Sequence, residues 1–158
     1  MRWLGAVDAI TGGAVGEPGH RAFYVQIDAG GTRRWFLLEK QQLAAVSDRV
    51  LDVLPGEGSE VAHPTPPLED PDSVEFRVGD IAIAERGDAF VVLLEAVEPE
   101  TEGVEFEVDK VMMRAMCEEA RRVVAAGRPL CRFCNLPMDQ EGHVCPATNG
   151  HRGHQLES

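Results

Sequence analysis

The chain has 158 residues, 44% of them hydrophobic, and a net charge of −12, enough for one domain that buries roughly 68–70% of its unfolded surface without help from a metal. The charge is uneven: residues 1–109 carry 8 Lys/Arg against 22 Asp/Glu, and residues 110–158 carry 7 against 5, so the body repels phosphate backbones and lipid headgroups. No apolar run approaches the roughly 20 residues of a membrane span, and Met1-Arg2-Trp3-Leu4 lacks the apolar stretch of a signal peptide, which leads us to expect a cytoplasmic protein.

In chain order, Leu4 to Val15 reads as a first strand and Gly16-Glu17-Pro18-Gly19 as a turn. Ala22 to Asp28 is rich in aromatic and β-branched residues, Ala29-Gly30-Gly31-Thr32 turns the chain, and Arg33 to Leu38 returns as a third strand. From Glu39 to Leu54 the apolar residues Leu43, Val46, Val50 and Leu54 mark one buried helix face, which Pro55-Gly56 ends. Residues 55–73 hold five prolines and five acidic residues, a composition that buries too little surface to offset its ordering entropy and reads as an extended, mobile linker. Strands follow near Phe76 to Ala84, Phe90 to Val97 and Val104 to Val108. A helix from Asp109 to Ala126 then carries Met113, Met116, Cys117, Ala120, Val123 and Val124 as its apolar stripe.

The two halves echo one another. At an offset of 70, Phe36-Leu37-Leu38-Glu39-Lys40 falls on Phe106-Glu107-Val108-Asp109-Lys110, Leu43 on Met113 and Val46 on Met116. At an offset of 67, Ala22-Phe23-Tyr24-Val25 falls on Ala89-Phe90-Val91-Val92. The expected fold is α+β: two pseudo-repeated βββα units, 1–54 and 74–126, forming one mostly antiparallel globular domain with two helices. The 55–73 linker joins them, and a small zinc-knuckle or ribbon-like tail occupies 127–158.

That tail holds Cys131-x2-Cys134-x8-His143-x-Cys145. The first pair has knuckle spacing, in which a tight turn brings two sulfurs to one ion at about 2.3 Å. Asn135 tolerates the positive φ such a turn needs, and His143 and Cys145 share a face if extended. In a reducing compartment these cysteines are a poor disulfide framework. As a dithiol redox motif, Cys131-Arg132-Phe133-Cys134 lacks the strand-to-helix setting, since it follows a helix end at Gly127. We expect a closed, structural Zn2+ site of Cys131, Cys134, His143 and Cys145, with no open position for substrate. His151 and His154 are alternatives to His143 in a polar stretch.

Other polar residues carry weaker signals. Cys117 on its apolar stripe reads as a buried small hydrophobe, and His20 as a surface residue. The acidic run Glu95, Glu98, Glu100, Glu102, Glu105, Glu107 and Asp109 lacks calcium-loop spacing. Gly12-Gly13-Ala14-Val15-Gly16 lacks a phosphate-binding pattern.

The blocks Gly16-Glu17-Pro18-Gly19-His20-Arg21-Ala22-Phe23-Tyr24, Leu38-Glu39-Lys40-Gln41-Gln42 and Glu75-Phe76-Arg77-Val78-Gly79, with the stretch from Ala125 to Gly150, resemble an uncharacterised actinobacterial family. Its tail reads Cys-Pro-x-Cys-Gly-x-Pro-Leu-Asp-Pro-x-Gly-His-x-Cys-Pro-x-x-Asn-Gly, from which Arg132, Asn135 and Gln140 depart while all four expected ligands stand. The resemblance implies genes lying near those of a histidine-phosphatase-like protein and a protein similar to phosphoinositide kinases. It implies no biochemical activity.

With no acid, base or nucleophile group in view, the preferred expectation is a non-catalytic binding or adaptor protein with an unidentified protein partner. One alternative is an enzyme or enzyme subunit acting with the phosphatase-like or kinase-like neighbours, for which His20, Arg21 and Glu39 would have to share a pocket. The other is nucleic-acid binding through Arg121, Arg122, Arg128, Arg132 and Arg152, which the acidic body opposes. The oligomeric state, and whether the strands form one sheet or two, are open at this point.

Overall fold

The computed structural model describes residues 1–17, 19–54 and 65–126. Seven strands and two helices follow in the order β1 (Arg2–Ala6), β2 (Ala9–Val15), β3 (Ala22–Ala29), β4 (Thr32–Leu38), α1 (Lys40–Val53), β5 (Val78–Arg86), β6 (Ala89–Ala96), β7 (Val104–Asp109) and α2 (Lys110–Ala126). The architecture is α+β, with two mostly antiparallel sheets of order β2-β3-β4 and β1-β7-β6-β5. A two-residue Gly30-Gly31 turn closes β3 on β4, pairing Ala29 with Thr32.

The expected first strand, Leu4 to Val15, is two strands in different sheets. Val7 N–H donates to Glu107 O at 2.8 Å and Asp8 N–H to Asp28 O at 2.7 Å, so consecutive residues bond to different sheets. The register of β1 shifts between Trp3 and Ala6, around Gly5 at φ 84°, a left-handed conformation that glycine adopts freely. Val7 is buried at the crossing. β1 thereby pairs in parallel with β7. A matching but shorter contact flanks β4: Leu37 N–H donates to Phe76 O at 3.1 Å and Glu75 N–H to Trp35 O at 2.9 Å, a parallel bridge of Leu37 with Arg77.

Both helices begin where the sequence places them, because each has a cap. Glu39 N–H donates to the Gln42 side-chain oxygen at 2.7 Å at the start of α1, one arm of a capping box. The Gln42 amide also donates to Val78 O at 3.0 Å and Gly79 O at 2.8 Å, tying α1 to the start of β5. Asp109 accepts from the backbone N–H of Val111 and Met112 at the start of α2, satisfying donors with no partner inside the helix.

One apolar core joins both sheets and both helices, centred on Phe36, Phe90, Phe106, Ile10, Ile27, Leu43, Met113 and Met116. Phe36 meets Phe76 edge to face at 5.2 Å between ring centroids, a favoured aromatic geometry. Helices α1 and α2 pack together, with Arg121 on Asp48 at 2.8 Å bridging their exposed sides. The interior void is about 20 Å³ and lined wholly by apolar side chains, about the room of one water with no polar group to hold it. No helix among the described residues is long and apolar enough to cross a membrane.

The 55–73 linker is described only from Thr65 onward, and Thr65–Glu69 lies docked on the sheet. Thr65–Glu69 has no regular structure, yet Leu68 packs against the outward side of β2 and its neighbours are hydrogen-bonded to β2 and β3. Composition argued against this because it counts large apolar residues, whereas docking here uses main-chain groups and one leucine.

Candidate functional site: a groove along an edge strand

The site is built from β2 outward. Successive residues of a strand face opposite sides, and both sides of β2 are approached closely. On the core side, a Cβ at Gly12 would stand 2.9 Å from Met116 Sδ and 3.2 Å from Leu43 Cδ1. On the outer side, a Cβ at Gly13 would stand 3.1 Å from Leu68 Cδ2. The adjacent glycines let a helix and a strap of chain close on the same strand from opposite faces, the close-approach role of glycine in a strand.

The strap is pinned through Gln26, which is 2% exposed. Its Nε2 donates to Pro67 O at 3.2 Å, while its Oε1 accepts from Trp35 Nε1 at 3.1 Å and from Glu69 N–H at 2.9 Å. These three bonds satisfy a buried amide that is otherwise costly. Thr11 Oγ1 donates to Pro66 O at 2.7 Å. Beyond them, Arg33 makes two bonds to Asp28, at 2.6 and 2.8 Å, and reaches Glu69 at 2.9 Å. The Arg33 hydrogen bond holds the Asp28 carboxyl below its usual range, against a smaller opposing effect of burial.

Among the described residues, β2 pairs with β3 alone, so its other edge is open. A cleft of about 500 Å³ runs along that edge, with Thr11 to Ala14 as its floor, Thr65 to Leu68 on one wall, and Ala115, Glu119, Arg122 and Val123 of α2 on the other. That volume is in the range of ligand sites. Its lining offers no nucleophile with a base: Glu119 is taken by Arg122, and the Thr11 hydroxyl by Pro66 O. What the cleft does offer is strand backbone with hydrogen-bonding capacity, because each strand residue has one donor and one acceptor.

The expected enzyme residues have separate tasks. Arg21 lies over the Phe23 ring at 4.9 Å and donates to Val123 O at 2.9 Å, near the end of α2. Glu39 caps α1, and His20 is exposed. Cys117 is buried, with burial pushing its thiol up to about 12, partly offset by a hydrogen bond with Ser47. Among the described residues, no group of three or more His, Cys, Asp and Glu is placed to hold a metal ion. The expected ligands Cys131, Cys134, His143 and Cys145 lie outside the described residues, as do His151, His154, Arg128, Arg132 and Arg152.

The model of a family described as a protein of unknown function (DUF3090) matches residues 4–145. The chain belongs to that family. The match spans both sheets, both helices, the strap and all four expected zinc ligands. Neither the curated proteins nor the solved structures contain a match to the chain. The groove along β2 and the Gln26 hub were not legible as a site in the sequence. The available signal was the Gly12-Gly13 pair inside a strand pattern, which marks close backbone approach as readily as a turn.

Proposed function

We propose that this DUF3090 protein is a non-catalytic binding protein, and that its receptor site is the open edge of β2, which takes an extended polypeptide segment by strand addition. The observation that carries this reading is the cleft itself: Thr11 to Ala14, four consecutive residues of a strand paired on one side only, line it between α2 and the pinned strap. In strand addition the main chain supplies affinity and the walls select side chains.

We read the body as a duplicated βββα unit. The sequence echo supports this, as do the two runs β2-β3-β4-α1 and β5-β6-β7-α2, with β1 left outside the repeat. On the same reading, Cys131, Cys134, His143 and Cys145 hold a structural zinc ion in the tail, and the protein works in the cytoplasm with a protein partner.

The test compares the full chain with Arg122→Trp, whose bulk fills the cleft from a side chain that is 71% exposed and so leaves the core alone. Partners captured from the native host are added back, and amide hydrogen exchange is followed. Expected are protection of Gly12 to Val15 in the native chain and at least tenfold weaker binding by the variant. Binding that leaves β2 exchange unchanged, or that the variant retains, would refute the reading.

A further inference from the structure

The four-stranded sheet β1-β7-β6-β5 ends in two edges that differ in kind. At β1 the register shifts around Gly5, whose φ is 84°, so that edge is broken by a local irregularity. At β5 the pairing with β6 runs in unbroken register from Ile81 to Arg86. The far side of β5 is closed off only at its start, where the Gln42 amide bonds Val78 O and Gly79 O and Leu37 bridges Arg77. Among the described residues no strand pairs with Asp80 to Arg86 on that side. Seven consecutive strand residues therefore carry open main-chain donors and acceptors, an edge that folded proteins ordinarily blunt or cover.

This open run is complementary to its own reverse. Asp80, Ala82, Ala84 and Arg86 form the outward row and are exposed, while Ile81, Ile83 and Glu85 alternate with them on the inward row. Laid antiparallel on a second copy about Ile83, the outward row sets Asp80 against Arg86 at both ends and the small Ala82 against Ala84 between them. Neither Asp80 nor Arg86 has an ion-pair partner among the described residues. The inward row sets Ile83 against Ile83, and Ile81 against Glu85. The Glu85 carboxylate is already held by Lys110 at 2.7 Å, so no unpaired charge enters the seam. Beside Ile83, α1 leaves a hollow of about 140 Å³ lined by Arg49, Val50, Val53, Glu85 and Phe90, in which Ile83 is half-buried and Val53 is 46% exposed.

We propose that the β5 edge binds a second copy of this chain, β5 on β5 antiparallel about Ile83, so that two four-stranded sheets become one of eight. Charge complementarity selects this occupant: Asp80 of each copy meets Arg86 of the other, twice, and opposite charges directly across a strand pair attract where like charges repel. The contact is isologous, the same patch serving on both copies, and it closes at two because each open edge is used up. Ile83 of each copy covers that of the other at the hollow beside α1. The interface uses no residue of the β2 cleft, so it stands or falls separately from strand addition there.

The experiment measures self-association of the full chain by sedimentation over a wide concentration range, alongside Asp80→Arg, Arg86→Asp and the double variant that exchanges the two charges. Both side chains are exposed, and the thermal midpoint of each variant verifies its fold. Expected is a monomer–dimer equilibrium in the native chain, weakened at least tenfold in either single variant, because both end pairs become like-charged, and restored to within about threefold in the double. A native chain that stays monomeric at every concentration, single variants that dimerise as the native chain does, or a double variant no tighter than the singles would overturn it.

Discussion

At the scale of single residues, Gln26 and Arg33 decide whether the strap stays on the sheet. Gln26 uses both ends of its amide, and truncating it strands the buried Trp35 indole N–H at a cost of about 1–3 kcal/mol. Arg33 adds a two-bond pairing with Asp28, a geometry that Lys does not reproduce. Because the folded-state pKa of Asp28 is lowered, its contribution is complete above the unfolded value of about 3.9 and is lost as pH falls through the lower folded value. We therefore predict that acidification below about pH 4 lowers the urea midpoint more in the native chain than in Asp28→Asn. The difference is on the order of 1 kcal/mol, the range of partly exposed ion pairs. Parallel curves for the two proteins would contradict the assignment.

At the scale of elements, α2 sits against β2 because Gly12 has no side chain. Gly12→Val places atoms where Met116 and Leu43 already stand, and overpacking of this kind costs about 1–3 kcal/mol. A urea titration should show the midpoint falling by that amount, and an unchanged midpoint would mean that the two elements have slack between them. The helices were the most legible elements in the sequence, since Leu43, Val46 and Val50 repeat at helical spacing and Pro55 ends the run. The third strand of each half was equally plain. The break at Val7–Asp8 was not, because Asp8 is a single charged residue in a run otherwise made of small and apolar residues and Thr11, and periodicity carries no information about which sheet a strand joins. The groove was illegible for a related reason: its floor, strap and helix wall come from three distant stretches, and none has a pattern of its own.

At the scale of the whole molecule, one core runs through both sheets and both helices. With zinc bound as proposed, Cys134→Ser should lose the metal, measured by elemental analysis, while the thermal midpoint of the body moves by less than about 4 °C, the shift expected for roughly 1 kcal/mol at this size. Global unfolding on chelation would instead make the tail part of the core. The crossing at Val7–Asp8 bears on how the chain acquires its fold. Arg2 pairs with Val104, nearly the full length of the body, and contacts so distant in sequence delay folding because the intervening loop must close first. On a ribosome, β1 leaves first and its partner β7 almost last. The first sheet's strands are all in hand early, whereas the opening residues must wait, unpaired, until synthesis of the body is nearly over.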